Sequence, residues 1–328
     1  MEHIIEQFLG LGNFQQAWYK VAEKQGCAGV DGETVEDFSR RQEKNLPELR
    51  DAVANGSYQP QPCKQILIPK KKGDWRELRV PTVRDRIVQQ ALLNIFYPIT
   101  ETKFSPASFA YRPNKSYLDA VKKVAAWRDL GYEWVLDGDI VEFFDSLDHQ
   151  RLLKEVRKYL DNPGILCLIK AWISVGVFTD SGLILPEKGI PQGAVISPLL
   201  ANIYLNEFDW LIAESADLKL VRYADDFVIL AQSQERIMQV RGEVAKILQA
   251  INLELHQEKT RITNFESGFR FLGHGFLQKA IFPDDPPQEL ETNASNLRDK
   301  KKFFSKFPYK QKRKRSNRPP WRRRFQHH

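Results

Sequence analysis

Two adjacent carboxylates, Asp225 and Asp226, stand between short apolar runs of the sequence at 220–221 and 227–230. Both runs favour strands, so a hairpin is predicted here, with its turn at Ala224-Asp225. A buried pair of carboxylates is unfavourable unless a cation neutralises it. Oxygen ligands of this kind suit Mg²⁺ and Mn²⁺. The pattern therefore predicts a divalent metal site, and it leaves open the alternative of an exposed acidic turn.

A third carboxylate, Asp139, follows an apolar segment of strand type at residues 134–138. It lies 86 residues before Asp225 in the sequence. The two side chains can act together only if their strands are neighbours in the centre of one sheet. Two aromatic residues, Phe143 and Phe144, come shortly after Asp139.

Residues 64–80 have the pattern of a basic hairpin, with two short strands around a lysine-rich loop. Lys70 and Arg76 lie on opposite arms and can approach one anion from both sides. A lysine point charge beside a planar guanidinium suits a triphosphate. A solvated, charged hairpin is the alternative.

A Pro-Gln-Gly turn contains Gln192 and Gly193 and precedes an apolar segment that is predicted to be helical to about Ile212. The free N–H groups at the start of such a helix favour a ligand that carries phosphate.

The charge of the chain is unevenly distributed. Residues 300–328 hold 13 Lys and Arg residues and no acidic residue, whereas the preceding 299 residues carry 36 basic and 42 acidic ones. A basic tail of this kind is typical of contact with phosphate backbones, and a solubilising terminus is the alternative. The residues predicted to contact nucleic acid are Lys312, Arg313, Lys314, Arg315, Arg322, Arg323 and Arg324.

Three cysteines, Cys27, Cys63 and Cys167, are too widely spaced for a zinc motif and fit a reducing cytoplasm. The N-terminal residues show no signal-peptide pattern, and no apolar run has the length of a membrane span. We expect a cytoplasmic protein with no membrane partner.

Together these segments resemble a reverse transcriptase of the bacterial group II intron-like lineage. The matching blocks cover about residues 26–276 and occur in the order of the family. They are Gly29-Val30-Asp31-Gly32, Arg76-Glu77-Leu78 with Val80-Pro81-Thr82, Asp139-Ile140 with Phe143-Phe144-Asp145, Pro191-Gln192-Gly193 with Ser197-Pro198-Leu199, Tyr223-Ala224-Asp225-Asp226, Lys259-Thr260 and Phe271-Leu272-Gly273.

The resemblance implies an α+β fold of the right-hand polymerase type, with an antiparallel-sheet palm and helical fingers. Only 53 residues follow Gly275, so the thumb is expected to be absent or minimal. The expected divisions are fingers at 1–132, palm at 133–181, the Pro-Gln-Gly loop and helix at 182–216, the rest of the palm at 217–282, an acidic linker at 283–299 and the basic tail at 300–328.

The resemblance also implies roles for single residues. Asp139, Asp225 and Asp226, with the carbonyl of Ile140, correspond to the ligands of two Mg²⁺ ions, for which Mn²⁺ can substitute. Lys259 corresponds to a general acid toward pyrophosphate. The nucleotide-binding positions are Lys70, Arg76, Phe144, Gln192 and Gly193, and the primer-gripping positions are Phe271, Leu272 and Gly273.

Phe144 stands five residues after Asp139, where the family places an aromatic ring beneath the sugar that excludes a 2′-OH. A core aromatic is the alternative for this position.

The implied partners are an RNA template, a DNA or RNA primer and dNTPs. A short enzyme of this lineage looks like those found beside the CRISPR spacer integrase, so an integrase complex is a further expected partner, in a bacterial cytoplasm. The alternatives are an intron-derived or other mobile-element enzyme, a template-independent nucleotidyl transferase, and a catalytically silent nucleic-acid-binding protein that keeps the fold.

Overall fold

The computed structural model describes residues 2–69 and 75–283. Lys70, the tip of the basic hairpin, the predicted linker beyond Pro283 and the seven predicted tail residues lie outside these ranges. Within the described ranges, no helix combines the length and apolarity needed to cross a membrane.

The described chain begins with four helices, mixes helices and strands in its middle part and ends with four strands. The helices are α1 (Glu2–Leu9), α2 (Leu11–Lys24), α3 (Val35–Ser39), α4 (Gln42–Ala54), α5 (Val83–Glu101), α6 (Tyr117–Asp129), α7 (Phe143–Ser146), α8 (His149–Arg157), α9 (Pro163–Ser174), α10 (Ser197–Ala213) and α11 (Gln234–Ala250). The strands are β1 (Cys63–Pro69), β2 (Trp75–Val80), β3 (Trp134–Gly138), β4 (Val177–Thr179), β5 (Gly182–Ile184), β6 (Lys219–Tyr223), β7 (Asp226–Ala231), β8 (Arg261–Asn264), β9 (Phe269–Phe271), β10 (His274–Leu277) and β11 (Ala280–Pro283).

The central sheet has the strand order β6-β7-β3-β8, and all of its neighbours are antiparallel. Its two inner strands, β7 and β3, are mostly apolar, as expected where both faces of a sheet are covered. Leu136 and Ile229 belong to the larger core cluster, whereas Val135 and Val228 belong to a second cluster that includes residues of α6 and β9. This alternation follows from the two-residue period of a strand.

A second, outer sheet has the order β2-β1-β4-β5. The β1–β2 hairpin confirms the predicted basic hairpin. The parallel pairing of β1 with β4, through Cys63 opposite Val177 and Lys64 opposite Phe178, is not signalled by the sequence. The predicted division between residues 181 and 182 falls in the turn between β4 and β5, and the division of the chain into fingers and palm stays a prediction.

One ion pair is buried against the central sheet. Arg222 on β6 is 1% exposed and donates to both carboxylate oxygens of Asp209 on α10, at 2.6 and 2.5 Å. Its other N–H groups reach Asn202, Ser108 and the carbonyl of Ala224. Because these contacts reach α10, the loop before α6 and the β6–β7 turn, the pair fixes that turn relative to the other two segments.

Asp209→Leu should lower the free energy of unfolding by about 3–5 kcal/mol, because it leaves the Arg222 charge buried without its partner. The double variant Asp209→Leu/Arg222→Met should recover most of that loss, since a buried pair replaced by apolar residues is often near neutral. Urea unfolding measures both. Arg40→Ala, which removes an exposed pair with Glu36, is the control and should cost less than about 1 kcal/mol. A similarly small cost for Asp209→Leu would contradict the assigned role of the pair.

Candidate active site

The register of the central sheet brings the predicted carboxylates together. Gly138 pairs with Phe227 across β3 and β7, so the next step along both strands sets Asp139 opposite Asp226. Tyr223 pairs with Asp226 across β6 and β7, which confirms the predicted turn at Ala224-Asp225. Ala224 takes a left-handed conformation with φ of 60°. The expected adjacency of the two distant strands is therefore confirmed.

Gly138 is the residue that allows β3 to lie so close to β7. A Cβ at this position would lie 2.3 Å from Cζ of Phe227. That ring is fully buried and packs edge-to-face on Phe208, with centroids 5.3 Å apart. The contact holds the strand directly before Asp139, and nothing larger than hydrogen fits.

Lys259 reaches the site from the opposite side of β3. Asp137 pairs with Arg261 across β3 and β8, and Lys259 lies in the turn that leads into β8, two residues before Arg261. Its Nζ lies 2.5 Å from Oδ2 of Asp139, and its side chain is 61% exposed. The lysine is thus in place beside the carboxylates, and its role as a general acid stays a prediction.

The backbone of Ile140 continues the strand after Asp139. It forms an antiparallel bridge with Leu255, flanked by bonds from the N–H of Val141 to Glu254 and from the N–H of His256 to Asp139. In an antiparallel pair with this pattern, the carbonyl of the central residue forms no hydrogen bond with the partner strand. The carbonyl of Ile140 is therefore suited to the predicted role of ligand, which stays a prediction.

Asp137 is an acidic residue of the site that the sequence reasoning missed. Burial, with the charges of Asp226 and Asp139, raises the pKa of Asp137 to about 7, while Arg261 opposes the shift. Burial also raises the pKa of Asp225, and Asp139 adds to that effect. The two-residue period could have found Asp137, since it places this residue on the same face as Asp139.

The repulsion among these carboxylates fits hard cations with oxygen ligands. In the described part of the chain, no three acidic, histidine or cysteine side chains lie close enough to form a metal centre by themselves. Mg²⁺ commonly takes only one or two carboxylates and completes its shell with water and substrate phosphates. The side chains present fit that mode of binding.

Arg76 on β2 approaches the carboxylates from the outer sheet. It is exposed, and its charge opposes the rise in the pKa of Asp225. Tyr111 is a second neighbour that the sequence reasoning did not assign. Burial raises its pKa, and the negative charge of Asp225 adds to the shift. Both residues therefore lie within electrostatic reach of the hairpin turn.

The Pro-Gln-Gly turn packs between β2 and α7. Nε2 of Gln192 donates to Asp145 at 3.0 Å, and the carbonyl of Gln192 accepts from the N–H of Arg79 at 2.8 Å. Gly193 has φ of 123°, and a Cβ there would lie 3.1 Å from the carbonyl oxygen of Arg79. The turn thus needs glycine, and its role in nucleotide binding stays a prediction.

Phe144 is half-buried at the start of α7 and packs edge-to-face on Phe143 at 5.3 Å. Its carbonyl accepts from the N–H of Ile190 at 2.7 Å. One side of the ring contacts the core and part of it stays exposed. This position is compatible with both roles considered for it, so the sugar-excluding role stays a prediction.

The predicted hairpin around Phe271, Leu272 and Gly273 is confirmed. Phe271 pairs with His274, so Leu272 and Gly273 form a two-residue turn, with φ of 50° and 73°. Positive φ at both positions is characteristic of a tight hairpin turn. Phe271 is buried, and the gripping of a primer by this hairpin stays a prediction.

The model of the family described as "Reverse transcriptase (RNA-dependent DNA polymerase)" matches residues 68–276, which is more than half of the chain. The chain belongs to the reverse transcriptase family.

This reverse transcriptase is 34% identical over 290 residues to protein YkfC of Escherichia coli strain K12, and the match covers 76% of each chain. It is 27% identical over 312 residues to the group II intron-encoded protein LtrA of Lactococcus lactis. That match covers 75% of this chain and 51% of the intron-encoded protein, so the chain spans about half the length of that relative. The predicted resemblance to group II intron-like enzymes is confirmed.

A telomerase from Candida albicans, solved in complex with a TWJ fragment of telomeric RNA, has a similar fold. The TM-score is 0.55 at 17% identity, over 76% of this chain and 50% of the telomerase chain. The mixed α+β polymerase fold is therefore confirmed, whereas the absent or minimal thumb stays a prediction.

Gly138→Ala should destabilise this reverse transcriptase by about 1–3 kcal/mol, because the new methyl group overlaps the buried Phe227 ring. Gly242→Ala makes the same chemical change inside α11, where a Cβ meets nothing within 4 Å. This control should be stabilising by up to about 1 kcal/mol through helix propensity. Urea unfolding of both variants gives the comparison. Equal stabilities would show that β3 can move away from β7 at no cost.

Proposed function

We propose that this reverse transcriptase copies an RNA template by extending the 3′-OH of a DNA or RNA primer with dNTPs, by two-metal nucleotidyl transfer. The observation that best supports the proposal is the register of the central sheet. It sets Asp139 opposite Asp226 on β7, while an ion pair brings Nζ of Lys259 to the other side of Asp139. A single strand end thus carries acidic groups on one side and a cationic group on the other.

Asp139, Asp225 and Asp226, with the carbonyl of Ile140, would hold the metal ions. Two Mg²⁺ ions bound there, or Mn²⁺ in their place, would supply the positive charge that favours ionisation of the 3′-OH and offsets the charge of the pyrophosphate. The half-buried setting of Asp225 strengthens its interaction with any cation, since charges attract more strongly where water is scarce.

Cationic side chains around this centre would bind and orient the triphosphate. Arg76 would contact the phosphates from β2, together with Lys70. Lys259 would donate a proton from Nζ to the departing pyrophosphate. Gln192 and Gly193 would pack against the incoming nucleotide, and the turn at Leu272-Gly273 would hold the primer end.

A catalytically silent nucleic-acid-binding protein is the alternative from another class. The raised pKa values of Asp137 and Asp225 argue against it, because they reflect carboxylates kept in partial burial and mutual repulsion. Such an arrangement destabilises the fold and gains nothing in a protein that binds no cation.

The narrower proposal for partners is a CRISPR integrase complex, with spacer acquisition from RNA in a bacterial cytoplasm. An intron-derived or other mobile-element enzyme is its alternative. The neighbouring genes distinguish the two, since an integrase gene supports the first and an intron boundary supports the second.

Asp139→Asn and Asp225→Asn should each reduce primer extension at least about 100-fold, since several kcal/mol of transition-state stabilisation are lost and each 1.36 kcal/mol is tenfold in rate. Primer-template binding, measured by gel shift, should change little. Asp217→Asn, at an exposed ion pair with Arg236, is the control and should keep full activity. A reaction with primer alone tests for template-independent addition. Activity within tenfold of the wild type in either site variant would overturn the assignment.

Phe144→Ala should weaken the preference for dNTPs over rNTPs, chiefly by raising rNTP incorporation. An apolar ring offers no hydrogen-bond partner to a buried 2′-OH, which costs about 1–3 kcal/mol, so the wild type should prefer dNTPs at least about tenfold. Single-nucleotide incorporation on an RNA template, at varied nucleotide concentration, measures kcat/KM for the dNTP and for the rNTP. Phe178→Ala, which makes the same change at an exposed ring on β4, should leave the ratio unchanged. If Phe144→Ala also leaves it unchanged, Phe144 is a core residue.

A further inference from the structure

We propose that Arg79 is a positioning residue for the nucleotide pocket. It holds Asp145 in place, and through Asp145 it fixes the positions of Gln192 and of the short helix α7 that carries Phe144. The inference rests on the proposed polymerase function and adds to it a residue that touches neither nucleotide nor metal.

The contacts of Arg79 join three segments. Its Nη2 lies 2.9 Å from Oδ1 of Asp145, and its Nε donates to Glu77 at 2.8 Å. The other carboxylate oxygen of Asp145 accepts from Gln192 at 3.0 Å. Asp145 therefore receives a guanidinium from the outer sheet on one oxygen and an amide from the Pro-Gln-Gly turn on the other.

The environment of Arg79 keeps this pair charged and ordered. Its side chain is 19% exposed, against 37% for Asp145. Burial alone would lower the pKa of Arg79, but the bonds to Glu77 and Asp145 raise it. An arginine can serve two carboxylates at once because its planar fork has five donors, whereas a lysine is a single point charge.

Asp145 is well placed to transmit this constraint to the sugar site. It directly follows Phe144, and α7 has only four residues, so the orientation of the short helix depends on its contacts. The carbonyl of Phe144 accepts from the N–H of Ile190, close to the Pro-Gln-Gly turn. A shift of Asp145 would therefore move both the aromatic ring and Gln192.

Arg79 also connects this unit to the triphosphate side. It stands three residues after Arg76 on β2, so the two side chains point to opposite faces of the outer sheet. Arg76 acts on Asp225 while Arg79 is bound to Asp145. One strand thus fixes the distance between the cation predicted to bind the phosphates and the ring predicted to lie beneath the sugar.

The test compares Arg79→Met, Arg79→Lys, Asp145→Asn and the double variant Arg79→Met/Asp145→Asn in single-nucleotide incorporation. Arg79→Met should raise KM for dNTP at least fivefold, with a smaller change in kcat, and lower the dNTP:rNTP preference at least threefold. Arg79→Lys should recover part of both. The double variant should resemble the single ones, because groups that act as a unit are not additive.

Arg236→Met is the matched control. Arg236 is 24% exposed and likewise bonds to two carboxylates, Asp217 and Glu243, but it lies on α11, away from the nucleotide pocket. The variant Arg236→Met should leave KM for dNTP and the dNTP:rNTP preference at wild-type values. Wild-type constants in Arg79→Met, or full additivity in the double variant, would overturn the inference.

A second measurement does not depend on activity. Amide hydrogen exchange of residues 187–195 in the free protein should rise several-fold in Arg79→Met and stay unchanged in Arg236→Met. Unchanged exchange in Arg79→Met would overturn the inference whether or not the protein polymerises. A wild type that fails to extend any primer would contradict the proposed function alone, while faster exchange would still support the positioning role.

Discussion

The buried ion pair between Arg222 and Asp209 is the constraint on which the geometry of the site depends. Two charges removed from water are stabilising only if nearly all of their hydrogen-bonding groups find partners. Arg222 meets that condition by bonding to α10, to the loop before α6 and to the carbonyl of Ala224. Since Ala224 is the left-handed residue of the β6–β7 turn, the position of Asp225 follows from a charge pair beneath it. The buried ion pair therefore holds in place the turn that carries the carboxylates.

The candidate site itself works against stability. Asp137 and Asp225 are repelled by neighbouring carboxylates around the end of β3, among them Asp139, and the partial burial of these two residues adds a desolvation cost. Lys259 and Arg76 offset part of this repulsion, and both are exposed enough to change partners when a substrate arrives. Sites that bind cations and phosphates commonly show this imbalance, because groups arranged for a ligand are poorly arranged for each other.

The sequence predicted the parts of the site that local pattern determines. The turn at Ala224-Asp225 follows from strand propensity, and the need for Asp139 to lie beside it follows from shared chemistry. The link from Arg79 to Asp145 and Gln192 could not be predicted, because its members are 66 and 47 residues apart and no periodicity relates them. The two-residue period of a strand could have predicted Asp137, but the apolar residues before it favour a purely structural strand. The β1–β4 pairing could not be predicted either, because nothing in the sequences of the two strands indicates that they pair.

That β1–β4 pairing has a consequence for the order in which the molecule can assemble. Cys63 on β1 must wait for Val177 on β4, so the outer sheet closes a loop of more than a hundred residues. The contacts of α1, α2 and α4 with one another are more local and can form while the chain is still being synthesised. Until β4 has left the ribosome, the β1–β2 hairpin has an unpaired edge at β1, and such edges are prone to pair with other chains. The hairpin that carries Arg76 is therefore open to such pairing while about a hundred further residues are being made.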